Sequence, residues 1–276
     1  MVDIQSSRDN RMVPLAQVGV TDLRYPISVL DKSEGKQQTV ARLTMSVNLP
    51  HHFKGTHMSR FLEVLNHHRG EFTVHTFPAI LKELRERLQA ETARIEATFP
   101  YFIERVAPAS GARALLDYEC SFLGDLSPEQ QDFLLTVTVP VTSLCPCSKA
   151  ISDYGAHNQR GHVKMAVKTV SHENLVWIEE LVEIAEQSAS APVYPLLKRV
   201  DERHVTMQAY DNPVFVEDIV RNVAVRLRED ERVASFEVEA VNQESIHNHS
   251  AFARTSWVRT APDREQASER AAVLVG

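Results

Sequence analysis

Alternation of apolar and polar side chains at every second position is the pattern that most limits the fold of this chain. A run with this period, bounded by turn residues, predicts a half-buried β-strand. The alternating runs are residues 43–49, 114–122, 133–139, 163–167, 236–240 and, more weakly, 252–258. Strands with one apolar and one polar face are typical of antiparallel sheet. We therefore predict a fold built on antiparallel sheet.

Helical spacing occupies the stretches between these strands. Apolar residues recur every three or four positions in residues 58–66, 77–88, 175–184 and 216–227, which predicts amphipathic helices. For the last of them we predict Asn212 as the N-cap and Pro213 as the first helical residue. Glu217 and Asp218 follow in the opening turns, where the helix dipole favours anions. Strands and helices together indicate an α+β protein.

The order strand, helices, strand, strand occurs twice along the chain, although the two halves share no residue-level similarity. The division falls near residues 140–143. We therefore expect two structural units of the same kind rather than a sequence repeat. The expected organisation is an N-terminal arm at residues 1–25, a first unit at 26–142, a second unit with the functional site at 143–260 and a flexible tail at 261–276.

Charge and composition exclude several functional classes. Lys and Arg total 30 against 37 Asp and Glu, a net charge of −7, so the chain lacks the basic footprint that binding to a nucleic-acid backbone requires. No apolar run approaches the roughly 18 residues of a membrane helix, and the first 20 residues lack a signal-peptide core. Three cysteines are too few for a secreted disulfide scaffold. We expect a cytoplasmic protein without nucleic-acid or membrane partners.

The densest polar cluster is TSLCPCSKAISDYGAHNQRG at residues 142–161. Cys145 and Cys147 lie two residues apart, and His157 follows Cys145 by twelve. In a reducing compartment, two thiols near a histidine can serve as metal ligands or as a nucleophile. Two small buried thiols and a solvated histidine explain the same pattern equally well.

A second cluster, NQESIHNHSAFA, lies at residues 242–253. Glu244, His247 and His249 fall at the end of a predicted strand, where two histidines two residues apart would share a face. A carboxylate near an imidazole can orient the ring or exchange protons with a reacting group. A polar hairpin loop is the simpler alternative.

A third cluster, DERHVTMQAYDNPVFVED, lies at residues 201–218. Glu202 and His204 would share a face if this stretch were extended. A charged surface segment is the simpler explanation for Glu202, and compensation of a helix dipole is the simpler explanation for Glu217. Neither carboxylate would be selected from local pattern alone.

The three clusters, in their order along the chain and together with KGTHMSRF at residues 54–61, resemble the type IB GTP cyclohydrolase I family. The resemblance covers roughly residues 39–257. It implies a tunnelling fold: two tandem units of antiparallel sheet with helices on one face, which oligomerise into β-barrels. It also implies a homo-oligomer, with a tetramer favoured and active sites at subunit interfaces. The implied reaction converts GTP and water to 7,8-dihydroneopterin triphosphate and formate, the first step of tetrahydrofolate biosynthesis.

The resemblance also implies a metal site. Its ligands would be Cys145, His157, Glu202 and His247. This mixture of thiolate, imidazole and carboxylate does not select one metal, so Zn²⁺, Mn²⁺ and Fe²⁺ all suit it. A bound metal would lower the pKa of a water that attacks C8 of guanine. Cys147 could replace Cys145 as the ligand, since both would lie two apart on an extended segment.

Further roles follow from the same resemblance. The acid/base candidates are Glu244, Cys147 and His249. Glu217 matches the carboxylate that binds the guanine edge, where two acceptor oxygens suit the N1–H and 2-amino donors. The candidates for the triphosphate are Ser148, Lys149, Arg160, Lys54, His57 and Arg60. Several of these could serve the site of a neighbouring subunit.

Two other functions remain as alternatives. A related tunnelling-fold reductase would use Cys147 as a covalent nucleophile on a 7-deazaguanine nitrile and consume NADPH. A non-catalytic metal- or purine-binding module would need only the ligands. Because a closed structural metal site needs no further titratable groups, the extra residues Glu244 and His249 favour an enzyme.

Overall fold

The computed structural model describes Gln5 and residues 7–68, 71–171 and 175–260. The predicted tail at residues 261–276 lies outside the described residues. The strands are β1 (Leu15–Asp31), β2 (Gly35–Leu49), β3 (Ala93–Val106), β4 (Arg113–Leu126), β5 (Gln131–Leu144), β6 (Asn158–Thr169), β7 (Ala191–Pro192), β8 (Val233–Gln243) and β9 (Ser250–Val258). The helices are α1 (Met58–His68), α2 (Phe77–Arg87), α3 (Pro146–Ile151), α4 (Ile178–Ser188), α5 (Arg199–Asp211) and α6 (Val216–Glu229).

The strands hydrogen-bond in the order β1-β2-β3-β4-β5-β6-β8-β9, and the short β7 pairs with β5. The pairs β1/β2, β2/β3, β5/β7, β6/β8 and β8/β9 are antiparallel. The predicted antiparallel sheet is therefore confirmed. Every alternating run of the sequence lies within one of these strands.

The chain packs as two compact units, and the long strands β3, β4 and β5 each contribute to both. The first unit contains the residues up to Pro100 together with Cys120–Leu135, and the second contains Tyr101–Glu119 and the residues from Thr136 onward. The boundary between two units that the sequence predicts near residue 142 stays a prediction.

An aromatic cluster forms the centre of the first unit. Its rings belong to Phe72, Phe77, Phe99, Phe122 and Phe133, with neighbouring centroids 4.8–6.0 Å apart. Helix α2 approaches β4 closely at Gly124, where an added Cβ would lie 2.6 Å from the Phe77 ring. The alternating faces of β2 and β3 and the apolar faces of α1 and α2 supply the rest of the core.

In the second unit, the core lies between the sheet and helices α4 and α6. Strand β6 buries Val163, Met165 and Val167, as the alternation predicts. Strand β8 buries its matching face, and the apolar stripe of α6 packs against β8 and β9. Among the described residues, no helix is long and apolar enough to cross a membrane.

The predicted start of α6 is wrong. The helix begins at Val216, and the Phe215 N–H donates to Asp218 Oδ2 at 3.1 Å. Asn212 instead ends α5, where its N–H donates to Gln208 O and its side chain donates to Ala189 O. The Val214 N–H donates to Leu144 O at 3.1 Å, so the stretch around Pro213 is bonded to β5 and is not helical. Asp218 lies in the first turn, as predicted.

Candidate active site

The first polar cluster folds into a compact turn at the end of β5. Cys145 is the N-cap of α3, and its Sγ accepts a hydrogen bond from the Ser148 N–H at 3.3 Å. The Cys145 N–H donates to His157 O at 3.1 Å, and the His157 N–H donates to Ser148 Oγ at 3.2 Å. These bonds bring a thiol and an imidazole from opposite ends of the cluster to one place.

A chain of buried hydrogen bonds fixes the tautomer of His157. The Ser143 hydroxyl donates its single proton to Val214 O at 3.0 Å, so its oxygen accepts from Asn242 Nδ2 at 3.1 Å and from Gln159 Nε2 at 3.4 Å. This orients the Gln159 amide with Oε1 toward His157 Nδ1, 2.8 Å away. An amide oxygen only accepts, so Nδ1 carries the proton and Nε2 keeps its lone pair.

Glu244 lies beside the same imidazole. Its Oε2 is 4.0 Å from His157 Nδ1, and the two side chains are only 13% and 15% exposed. The position follows from strand pairing, because β8 runs antiparallel to β6 and ends at Gln243, next to the start of β6. Glu244 is thus a partly buried carboxylate that could exchange a proton with a group near His157 through one intervening water.

His247 and His249 lie in the loop that joins β8 to β9. The expectation that they share a strand face is wrong, because β8 ends before them and β9 begins after them at Ser250. Their rings are nevertheless parallel neighbours, with centroids 5.1 Å apart and planes inclined by 18°. Both side chains are exposed, so both imidazoles are accessible to a ligand.

Glu202 lies on helix α5 and is exposed. The extended stretch considered for Glu202 and His204 is wrong. On a helix, two residues this far apart point about 200° away from each other, so they do not share a face. The helix is nearly uncovered, and of its side chains only those of Asp201 and Ala209 are buried.

Asp201 is a residue that the sequence did not single out. Its fully buried carboxylate accepts hydrogen bonds from the N–H groups of Ala109, Ser110 and Lys198 and from the Ser110 hydroxyl, at 2.6–2.9 Å. Burial alone would raise the pKa of Asp201, but these hydrogen bonds outweigh it and hold the pKa below its ordinary value. Asp201 thus attaches the first turn of α5, which carries Glu202, to the β3–β4 connection.

The expectation of an extended segment at Cys145 and Cys147 is wrong. Residues 146–151 form the short helix α3, with Pro146 as its first residue, a position that suits proline. Cys147 is exposed on this helix, whereas Cys145 is partly buried and bonded to the His157 segment. Backbone hydrogen bonding therefore fixes the position of Cys145 relative to the His157 segment.

The other predicted substrate residues differ in their surroundings. Glu217 is exposed in the first turn of α6, as predicted, and Arg160 is exposed on β6. Lys149 Nζ donates to Tyr210 O and lies 4.2 Å from the centre of the Tyr210 ring. Binding of a phosphate by Lys149 would replace these contacts.

The three remaining phosphate candidates belong to the first unit. Lys54 is exposed, and its N–H donates to Ser7 O at 3.0 Å. Arg60 lies on α1 and donates from Nη1 to Arg87 O at 2.9 Å, while the His57 carbonyl accepts from the Arg60 N–H. Lys54 and His57 thus precede α1 along the chain, and Arg60 lies in its first turn.

Possible metal ligands converge in the described part of the chain. There, one group of three or more His, Cys, Asp or Glu side chains has all its ligand atoms within 4.8 Å of one another: His67, His68 and Glu83. The predicted ligands Cys145, His157, Glu202 and His247 do not form such a group within one chain. Two of the four, Glu202 and His247, are exposed.

The family described as type I GTP cyclohydrolase folE2 matches residues 1–253. This chain belongs to that family. GTP cyclohydrolase FolE2 of Nitrosococcus oceani is 52% identical over 251 residues, which cover 91% of this chain and 93% of that protein. GTP cyclohydrolase FolE2 of Geobacter sulfurreducens is 55% identical over 253 residues, which cover 92% and 96%. The family resemblance predicted from the four sequence motifs is therefore confirmed.

Solved structures show the fold of this FolE2 family member. Uricase from Arthrobacter globiformis superposes with a TM-score of 0.53 at 10% identity, covering 89% of this chain and 94% of that one. Urate oxidase from Bacillus subtilis superposes with a TM-score of 0.52 at 6% identity, covering 88% and 98%. At such identities the likeness concerns the fold alone, and it confirms the predicted α+β tunnelling fold.

Proposed function

We propose that this chain is a GTP cyclohydrolase, which converts GTP and water to 7,8-dihydroneopterin triphosphate and formate as the first step of tetrahydrofolate biosynthesis. Membership of the FolE2 family supports the activity. The observation that carries the proposal is the pairing of the Cys145 segment with a His157 whose Nε2 is held as an acceptor. The family match does not favour the reductase or the non-catalytic module.

A divalent metal is part of this proposal, with Zn²⁺, Mn²⁺ and Fe²⁺ as the candidates. Cys145, His157, Glu202 and His247 would hold it. The donors present fit such an ion: His157 donates its Nδ1 proton to an amide oxygen, as metal-bound histidines do, and leaves Nε2 for the metal. When bound, the metal would make a water acidic enough to supply hydroxide near neutral pH.

Glu244 and His249 are the proposed proton carriers. The C8 atom of guanine is a poor electrophile until N7 is protonated, so one group must donate a proton there and another must accept one from the attacking water. Glu244, partly buried beside His157, would accept the proton of the water. His249, exposed next to His247, would donate to N7. Cys147 is the third acid/base candidate.

Substrate binding divides between the guanine edge and the triphosphate. We propose that the two oxygens of Glu217 accept from N1–H and the 2-amino group of guanine. Lys149, Arg160 and the Ser148 hydroxyl would bind phosphate oxygens. Lys54, His57 and Arg60 would complete the phosphate site of a neighbouring copy in a homo-oligomer, with a tetramer as the proposed state.

The proposed location is the cytoplasm, because a free thiol ligand persists in a reducing compartment.

The test is direct. Protein replete with Mn²⁺ or Zn²⁺ should release formate from GTP and yield a product that fluoresces after oxidation. Glu244→Gln should reduce this turnover about 100-fold or more, because general acid–base groups contribute factors of that size. Glu231→Gln, at an exposed turn, is the matched control. A metal-replete protein that produces neither formate nor pterin would end the proposal.

A further inference from the structure

The ends of helices α1 and α2 in the first unit bring two imidazoles to a single carboxylate oxygen. His67 Nδ1 lies 2.7 Å and His68 Nε2 lies 2.8 Å from the same Oε2 of Glu83. The other carboxylate oxygen, Oε1, pairs with Arg87 Nε at 2.7 Å. Arg87 therefore fixes the carboxylate through Oε1, and Oε2 faces the two imidazoles.

This convergence is not a consequence of helix periodicity. Consecutive residues on a helix point about 100° apart, yet His67 and His68 use different ring nitrogens to reach one atom. The side chains of His68 and Glu83 are 19% and 18% exposed, while that of His67 is 64% exposed. The cluster is therefore partly buried on one side and open to solvent on the other.

The donor chemistry suits a borderline divalent ion. Two imidazoles and one carboxylate are the protein ligands of many zinc sites that keep an open position. An ion binds a histidine through the lone pair of a ring nitrogen, so each neutral histidine would carry its proton on the other ring nitrogen when the ion replaces the two contacts to Oε2. Tetrahedral ligands at about 2.1 Å lie roughly 3.4 Å apart, so admitting the ion requires each N···O separation to widen by about 0.6 Å.

We infer that His67, His68 and Glu83 form a second divalent-metal site, with Zn²⁺, Co²⁺ or Ni²⁺ as the class of ion it takes. It consists entirely of first-unit residues, whereas all four ligands proposed for the reaction belong to the second unit. Because its ligands come from α1 and α2, a bound ion ties the end of one helix to the other. Binding to the folded state alone then stabilises the first unit in proportion to the logarithm of the metal concentration.

The experiment uses full-length protein stripped of metal by chelation, with Cys145→Ser and His157→Gln to remove the site proposed for catalysis. Titration with Co²⁺ should show one bound ion per chain, with visible d–d absorption and no sulfur-to-cobalt charge-transfer band. Adding His68→Gln or Glu83→Gln should weaken this binding by at least about tenfold. Adding His75→Gln, an exposed first-unit histidine outside the cluster, should leave it unchanged.

Thermal unfolding gives a second readout that does not depend on turnover. Zn²⁺ should raise the Tm of the protein carrying Cys145→Ser and His157→Gln, and the rise should disappear on adding His68→Gln or Glu83→Gln while the circular dichroism without metal stays unchanged. Absence of Co²⁺ binding in the stripped protein, or equal binding after either substitution, would overturn the inference. The proposed cyclohydrolase activity would survive that result, because its ligands are separate.

Discussion

The Nδ1 atom of His157 lies 2.8 Å from Oε1 of Gln159, a side chain that is almost fully buried. The contact joins His157, which directly precedes β6, to Gln159 near the start of that strand. The Ser143 hydroxyl accepts from Gln159 Nε2 and so sets which way the Gln159 amide faces. Gln159 is therefore a positioning residue. It holds the ring orientation and the protonation pattern that leave His157 Nε2 available as a ligand.

Replacement of Gln159 by leucine should separate this role from simple packing. Gln159→Leu removes the acceptor, and we expect metal affinity to fall about 10–100-fold, as for other partners of metal-bound histidines. Gln159→Glu keeps an acceptor oxygen toward His157 but loses the donor to the Ser143 hydroxyl, so its loss of affinity should be smaller than that of Gln159→Leu. Competition with a chelator of known affinity measures both. Equal losses in the two variants, or none in either, would contradict the positioning role.

Because of Asp201, the stability of the folded protein should decrease as the pH falls into the acid range. Its folded pKa lies below the ordinary value because the amide and hydroxyl donors around it outweigh the effect of burial. A depressed folded pKa stabilises the protein above the unfolded pKa, and this contribution is lost as the pH falls through the folded value. Asp201→Asn should lower Tm near neutral pH, and the difference from the unsubstituted protein should shrink toward pH 2.

Thermal unfolding of both proteins at closely spaced pH values measures this difference. Asp153→Asn, at an exposed carboxylate, is the control and should leave the pH profile unchanged. A Tm difference between Asp201→Asn and the unsubstituted protein that stays constant from pH 7 to pH 2 would show that the carboxylate charge is not the stabilising feature.

The strands were predictable where alternation coincides with burial. Residues 163–167 and 236–240 alternate without interruption and occupy β6 and β8. Strand β1 was not predicted, because its register shifts twice against β2 and Asp22 adopts a φ of 60°. Each β-bulge moves the apolar residues to the opposite face, so the sequence of β1 loses its period of two.

Helix α5 escaped prediction for a different reason. A helix is recognised by its apolar stripe, and only Asp201 and Ala209 are buried on this one. The buried carboxylate of Asp201 anchors this helix, and such a tertiary contact leaves no periodic pattern in the sequence.

The hydrogen-bonded residues behind His157 were not predictable for the same reason. Ser143, Gln159 and Asn242 come from three strands, and nothing in their spacing connects them. The motifs supplied the candidate reactive groups, which stay predictions, and gave no indication of the residues that orient His157.

Glu202 and His204 form a matched pair for testing the ligand role on α5. Both are exposed and lie on the same helix, so neither substitution should change stability by more than about 0.5 kcal/mol. Glu202→Gln should lower metal affinity and GTP turnover by at least about 100-fold, because a ligand contributes at least as much as its supporting partners. His204→Gln should preserve both within about twofold. Metal content and formate release measure these outcomes, and full activity of Glu202→Gln would remove Glu202 from the ligand set.

Glu217 and Asp218 separate substrate binding from helix stability in the first turn of α6. Asp218 Oδ2 accepts the Phe215 N–H, so Asp218→Ala should lower the free energy of unfolding by about 0.5–2 kcal/mol, as loss of a helix-terminal acceptor does. Its KM for GTP should not change. Glu217→Gln should raise KM, because an amide offers one acceptor where guanine presents two donors, and should cost no more than about 1 kcal/mol of stability. If Glu217 binds guanine, the rise in KM follows from substitution of Glu217 and the loss of stability from substitution of Asp218. If Glu217→Gln leaves KM unaltered, Glu217 does not bind guanine and only interacts with the helix dipole.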